Sequence, residues 1–385
     1  MADTAAYLAD SVLIDVPVRQ WVLTLPMWLR RAVARDSRLC ALLLKIFTGQ
    51  LARHLKSVSR SDGHFGSVTV IQRFGGALNL NPHFHTLVPD GLYFERGDGQ
   101  VYFRQSPPPS LDQLQHVLGT IIDSVRRLLA RMGYHLAELI DQPVAWHACL
   151  DASIGQRQLL GDDAGLPMET VGESPTSDTI RYQQHLCAKL GGFTLHAGVT
   201  TDAKDRGGLE RLCRYIARPA IAQDRLSTRH DGKVVYRLRH PWRDGTSQVI
   251  FDPLDFVAHL AALIPPPRTN LIRYHGVFAP AARLRSRIVG QTNQTLASAM
   301  GHKAPGVGKT RVRRNLLWAE LMSRVFGINV LTCPECGGQC RVIACIEDPA
   351  VIRKILRHLG LPTQGATLHP ARGPPDHQLD FVDVV

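Results

Sequence analysis

"VTVIQRFGGALNLNPHFHTLVPD", residues 68–90, decides the fold. Its first half is β-branched and alternating, which predicts a strand over 65–74. Gly75 and Gly76 open a loop, and a second strand is expected over 82–88. His83 and His85 stand two apart on that strand. Side chains at i and i+2 share a face, so both imidazoles point one way while Phe84 and Thr86 point the other. A pair of imidazoles on a rigid strand suits a divalent metal. Two ligands leave a site incomplete, and Gln72, Asp90, His196 and Gln223 are candidates for a third; the sequence does not choose among them. The plainer alternative is a polar pair that hydrogen-bonds its neighbours. A cupin-type site would need an acidic ligand shortly downstream and a second histidine module, and neither follows His85 at a suitable spacing.

Outward from this stretch, "VRQWVLTLP" (18–26) predicts a strand and residues 27–55 one helix. "GLYFERGDGQVYFR" (91–104) reads as a hairpin turning at Gly97-Asp98-Gly99. Ser110 and Gln113 form a capping-box pattern, with Leu114, Val117, Ile121, Val125, Leu128 and Met132 as the stripe of a long helix. With a further strand at 193–199, the order of elements predicts an α+β domain. The polar stretch 151–180 is expected to loop out, and "IPPPR" (264–268) to mark a boundary. The expected divisions are a strand-and-helix segment 1–60, a catalytic domain 61–264, a basic region 265–330, a cysteine-containing segment 331–362 and a disordered tail 363–385.

Lys and Arg number 45 against 33 Asp and Glu, a formal charge of +12, so a polyanionic partner is expected. The excess is concentrated. Residues 206–244 hold ten basic and four acidic side chains, and residues 268–324 hold eleven and one. Cations spread over folded surface favour nucleic acid over a membrane. No run of eighteen apolar residues exists to span a bilayer, and the scattered cysteines fit a reducing cytoplasm rather than a disulfide framework.

"DRGGLERLCRYIARP", residues 205–219, predicts an amphipathic helix capped by Asp205 and stopped by Pro219. Leu209, Leu212 and Ile216 make its buried stripe. Arg211, Tyr215 and Arg218 share another face, flanked by Arg214. Guanidiniums around a phenol both attract a phosphodiester and favour tyrosinate. The alternative is a tyrosine at a core edge beside a solvated arginine face. Tyr274 is the rival nucleophile.

The motifs "VTVIQRFGGALNLNPHFHTLVPDG", "GLERLCRYIARP", "PPPRTNLIRYHGVFAP" and "LTCPECGG", in this order, resemble a rolling-circle transposase of the insertion-sequence-ninety-one type, within the HUH superfamily of single-strand endonucleases. The resemblance runs from about residue 17 to 362. It implies a central antiparallel sheet flanked by helices, with His83 and His85 on a central strand. It also implies that Tyr215 nicks single-stranded DNA with Mg²⁺ or Mn²⁺, leaving a 5′-phosphotyrosine and a 3′-hydroxyl. The partners implied are single-stranded DNA at transposon ends and target, with a homo-oligomer as a route to strand transfer. Some relatives carry a second tyrosine four residues away; Arg211 and Pro219 occupy those places here. Relatives also commonly begin with a zinc-binding domain, and the expectation for this chain is that it lacks one. An inactive DNA-binding relic and a metal-dependent RNA phosphodiesterase are the alternatives.

Arg268, Arg273, Arg283, Arg285 and Arg287, interleaved with Tyr274 and Phe278, are expected to hold a single strand. Lys309, Arg311, Arg313 and Arg314 lie in a glycine-containing basic stretch whose spacing does not match a phosphate-binding loop. Cys333, Cys336, Cys340 and Cys345 are candidates for a structural Zn²⁺ site, with unpaired thiols as the alternative.

Overall fold

The computed structural model describes residues 2–133, 145–161, 163–172, 186–242, 244–289, 318–341, 346–361 and 363. The chain divides into two compact units, residues 1–314 and 315–385. In the first, the strands are β1 (Val18–Thr24), β2 (Gly66–Phe74), β3 (Leu80–Pro89), β4 (Gly91–Glu95), β5 (Val101–Gln105) and β6 (Glu169–Gly172). They continue with β7 (Cys187–Leu190), β8 (Phe193–Thr201), β9 (Leu226–Thr228), β10 (Val234–Arg237), β11 (Thr246–Phe251) and β12 (Ile272–Gly276). The helices are α1 (Ala2–Tyr7), α2 (Met27–Arg35), α3 (Ser37–Ser59), α4 (Leu111–Arg131), α5 (Ala145–Gly155), α6 (Arg206–Ile216), α7 (Pro253–Leu263) and the single turn α8 (Arg285–Ile288).

The main sheet has six antiparallel strands in the order β12-β2-β3-β1-β8-β7. This is the α+β architecture expected. The alternation along each strand sorts its two faces. Trp21, Leu23, Ile71, Phe84 and Leu195 join α3 and α4 in one apolar cluster. Phe47 of α3 stacks on Phe84 with centroids 6.3 Å apart. Val18, Val68, Val70 and Leu87 face the other way, against α1, the π-helical turn Leu8–Val12 and α6.

The capping box forms as expected, Ser110 and Gln113 bonding reciprocally at the start of α4. The helix expected over 27–55 breaks at Asp36, whose carboxylate accepts from the backbone N–H groups of Arg38 and Leu39 and so starts α3. Segment 1–60 does not stand apart, because β1 lies between β3 and β8. Nor does the chain leave the sheet at 264–268, since β12 is its edge strand beside β2.

Stretch 151–180 is not all loop. Helix α5 runs to Gly155, and β6 belongs to a second, four-stranded sheet ordered β6-β11-β10-β9. That small sheet has its own core of Met168, Tyr236, Leu238, Val249 and Phe251. The β4–β5 hairpin is a third sheet. Arg73 ties two helices to β2: its guanidinium donates to Ala34 O near the end of α2 (2.9 Å) and to Leu263 O (3.0 Å) and Ala262 O (3.3 Å) at the end of α7. These are helix-end carbonyls with no intrahelical partner, at the negative ends of two helix dipoles.

The second unit contains α9 (Trp318–Phe326) and α10 (Pro349–His358). Pro349 opens α10 and Gly360 follows it at φ +66°. Among the described residues, no helix is long and apolar enough to cross a membrane.

Candidate active site: two histidines facing a tyrosine

The histidines lie on β3, between β2 and β1. Gln72 and Thr24 are the cross-strand partners of His83, and Val70 and Val22 those of His85. Their ring centroids are 4.7 Å apart at an interplanar angle of 62°. His83 Nδ1 is 2.6 Å from Asn81 O. A carbonyl only accepts, so Nδ1 carries the proton and Nε2 keeps its lone pair.

His85 Nδ1 is 2.6 Å from Gln20 Nε2. With the amide nitrogen donating, the ring proton of His85 sits on Nε2. Rotating the amide end for end presents its oxygen to an Nδ1–H and frees Nε2, so Gln20 controls which nitrogen is available. Burial holds both rings neutral. The His83 pKa is lowered to about 4, against the bond to Asn81 and helped by the charges of Arg30 and Arg218. His85 falls well below its ordinary value through burial, with His83 and Arg218 adding to the effect.

Tyr215 is brought to this pair by α6. Asp205 caps the helix by accepting from Gly208 N–H at 2.8 Å. Leu209, Leu212, Cys213 and Ile216 are buried against the histidine face of the sheet. Tyr215 sits beside that stripe, 38% exposed, with its ring perpendicular to His85 and the centroids 6.1 Å apart. Gln72 adds a tether, its Nε2 donating to the carbonyl of Ile216 at 2.6 Å. Arg218, just past the helix, places its Cζ 4.6 Å from the centre of the Tyr215 ring. The tyrosine is thus half-open to solvent, against a neutral imidazole and under a cation.

The candidates for a third ligand separate. Gln72 is on the histidine face, with its amide nitrogen engaged by Ile216 and its amide oxygen as the remaining donor atom. His196 shares a face with the pair, but Val22 stands between it and His85 in the register. Two strand spacings, about 10 Å, separate their backbones, so His196 stands farther from the pair than Gln72, which is directly opposite His83. Asp90 is held by Arg19 through two bonds of 2.9 and 2.8 Å. The side chain of Gln223 lies outside what is described. Among the described residues no three His, Cys, Asp or Glu side chains are grouped to hold a metal. The donor set available at the pair is therefore two neutral imidazoles and an amide oxygen, which fits a divalent ion that keeps much of its water. Tyr274, the rival nucleophile, sits on the edge strand β12 opposite Val68 and under Arg285, two strands from the histidines.

The arginines expected to bind DNA fall into different settings. Arg211 is exposed, while Arg214 pairs with Glu210 at 4.0 Å. Arg283 and Arg287 both pair with Glu95 of β4. Arg285 donates to Phe278 O and to the Tyr7 hydroxyl, and Arg273 to Asn270 O. Arg268 is at positive φ in a turn. Lys309, Arg311, Arg313 and Arg314 lie outside the described residues. Cys333, Cys336 and Cys340 are free thiols that make no metal-holding group among the described residues, and Cys345 lies outside them.

Three residues at the site escaped the sequence reading. Gln20 had a signal, a buried polar side chain on the face of its strand opposite Trp21 and Leu23. Arg30 affects the site through its charge near His83. Arg239 comes from the small sheet, with its Cζ 5.6 Å from the Tyr215 ring centre. Nothing local in the sequence marks it.

A family model described as "Putative transposase" matches residues 66–287, a span holding both histidines, Gln72 and Tyr215. No curated protein and no solved structure matches the chain.

Proposed function

Because that match covers more than half of its length, the chain belongs to this transposase family, and from that premise we propose that it nicks and rejoins single-stranded DNA through Tyr215 in rolling-circle transposition. The observation that carries the reading is the Tyr215 ring standing against His85, 6.1 Å centre to centre, on the face that also holds His83. Half-exposed beside two neutral histidines and a guanidinium, its hydroxyl is open to a phosphodiester brought to that face.

In the proposed step the phenolic oxygen of Tyr215 bonds to phosphorus and the bond from phosphorus to the 3′-oxygen breaks. The phenolic proton passes to solvent, and the departing oxygen takes one up. The products are a 5′-phosphotyrosine and a 3′-hydroxyl that primes synthesis or attacks in reverse to rejoin strands. The phosphodiester is conserved, so no nucleotide cofactor is required. His83 and His85, with the amide oxygen of Gln72, would hold Mg²⁺ or Mn²⁺, which when bound draws charge from a phosphate oxygen. Asn81 and Gln20 orient the two imidazoles, and burial keeps them deprotonated at neutral pH.

The test is a covalent adduct. Wild-type protein incubated with Mn²⁺ and labelled single-stranded oligonucleotides should give a protein–DNA species that survives denaturation and maps to Tyr215 by peptide mass. Tyr215→Phe should abolish the adduct and leave single-strand binding within twofold of wild type. An adduct still formed by that variant refutes the assignment of the nucleophile.

A further inference from the structure

Several arginines of the first unit have found an acid within the chain: Arg206 pairs with Asp10, Arg214 with Glu210, Arg229 with Asp231 and Glu169, and Arg283 and Arg287 with Glu95. The two beside the Tyr215 ring have not. Arg218 and Arg239 are without a carboxylate partner among the described residues, and both guanidiniums stand within 6 Å of the centre of the Tyr215 ring. They reach it from different parts of the fold, Arg218 from the end of α6 and Arg239 from the segment after β10 in the small sheet. The Nε of Arg218 is buried with no hydrogen-bond partner. Buried donors are nearly always satisfied, so this one, beside a reactive side chain, is suited to an acceptor brought by a ligand or a water. Two like charges gathered on one phenol with no acid between them call for an anion of the size and oxygen geometry that guanidinium forks match.

We infer that Arg218 and Arg239 form a clamp on the scissile phosphate, gripping its non-bridging oxygens before attack and keeping them once the phosphorus is bonded to Tyr215. The inference rests on the reading of Tyr215 as nucleophile, and it gives the small sheet a function in the reaction, since that sheet supplies the second arm. The clamp has two consequences. It presents phosphorus to the phenol rather than leaving the DNA held only by distant phosphates. It also remains charge-paired in the covalent intermediate, where the phosphotyrosine diester carries one negative charge beside both guanidiniums.

The experiment uses the full chain and phenyl phosphate, an aryl phosphate that imitates the linked tyrosine. Arginine Nε–H signals are followed by ¹H–¹⁵N NMR during titration. Two signals should shift saturably; Arg218→Gln should remove one of them and Arg239→Gln the other, with phenyl phosphate affinity lowered at least tenfold in each. Arg237→Gln, on the same small sheet, should bind as wild type. In single-turnover nicking, Arg239→Gln should be slowed at least thirtyfold and Arg239→Lys partly restored, with binding of a long single strand nearly unchanged. Equal phenyl phosphate affinity in wild type and Arg239→Gln overturns the clamp, as does nicking at the wild-type rate. Phenyl phosphate bound by both arginines, with no Tyr215 adduct from any strand, defeats the nuclease reading and leaves the anion site standing.

Discussion

Replacing Gln72 with leucine separates two roles that the geometry permits for one side chain. Gln72 is 3% exposed and donates through 2.6 Å to the carbonyl of Ile216, the last residue of the helix that carries Tyr215. Leucine removes the donor and leaves that carbonyl buried without a partner, at a cost of about 1–3 kcal/mol. Most of this falls on the final helical turn, because no other hydrogen bond among the described residues holds that carbonyl. A factor of ten corresponds to about 1.4 kcal/mol, so adduct formation should slow by roughly 10- to 100-fold. The assay is single-turnover adduct formation with a labelled oligonucleotide across a Mn²⁺ titration. If Gln72 acts as a tether, the rate falls at every concentration and the half-saturating Mn²⁺ stays within twofold. If it acts chiefly as a ligand, excess Mn²⁺ restores the rate. Faster hydrogen exchange at the amides of residues 216 and 217 would accompany the tether role alone. A rate within twofold of wild type, with exchange unchanged, refutes the reasoning.

Gln20→Leu takes away the group that sets the protonated nitrogen of His85; Mn²⁺ affinity, measured by calorimetry, should fall about 10- to 100-fold while the fold is retained. Arg73→Met strands three helix-end carbonyls around a buried site and should lower the stability of the first unit by about 3 kcal/mol in urea denaturation, with Arg73→Lys intermediate; a loss under about 1 kcal/mol would contradict the ties described. Acid should destabilise the chain. His83 and His275 have folded pKa values of about 4, both through burial first, below the roughly 6.5 of the unfolded chain. Their contribution is therefore intact above pH 6.5 and lost as pH falls through about 4. Thermal midpoints should drop across that window, and His275→Phe should flatten the drop.

What the sequence carried was local. The alternation of residues 66–74, the Ser110–Gln113 cap, the Asp205 cap and the stripe of α6 each depend on neighbours a few positions away, and each appears in the structure. The break at Asp36 is equally local, but the apolar pattern continues on both sides of it and hides it. The small sheet was not legible. Its strands run three to six residues with many polar positions, and β6 pairs with β11 across a long separation in sequence. Strand β12, "IRYHG", carries no alternation, and the prolines ahead of it read as a boundary. The fate of each arginine was equally hidden. Arg283 meets Glu95 across 188 residues, so a count of basic side chains overstates how many are free to meet phosphate.

The placement of Tyr215 follows from helix geometry more than from any contact of its own. Successive residues on a helix turn about 100°. With Leu209, Cys213 and Ile216 seated on the same cluster as Val68, Val70 and Leu87, the residue just before Ile216 must emerge at the edge of the buried stripe. That edge is the one nearest β3, where His85 is set by its pairing to Val22 and Val70. A tyrosine one position earlier or later would be turned by that angle, into solvent or into the core, and no rotation of its own side chain could recover the approach. The reactive pair is therefore specified by two apolar patterns far apart in the chain, a period of two on β3 and a helical period on α6, whose phases agree only in the folded sheet. The Gln72 tether and the clamp from Arg218 and Arg239 act on a phase already set by packing. This is why changes at Arg218 and Arg239 should alter rate with little loss of stability, whereas Gln72 also holds the last turn of the helix.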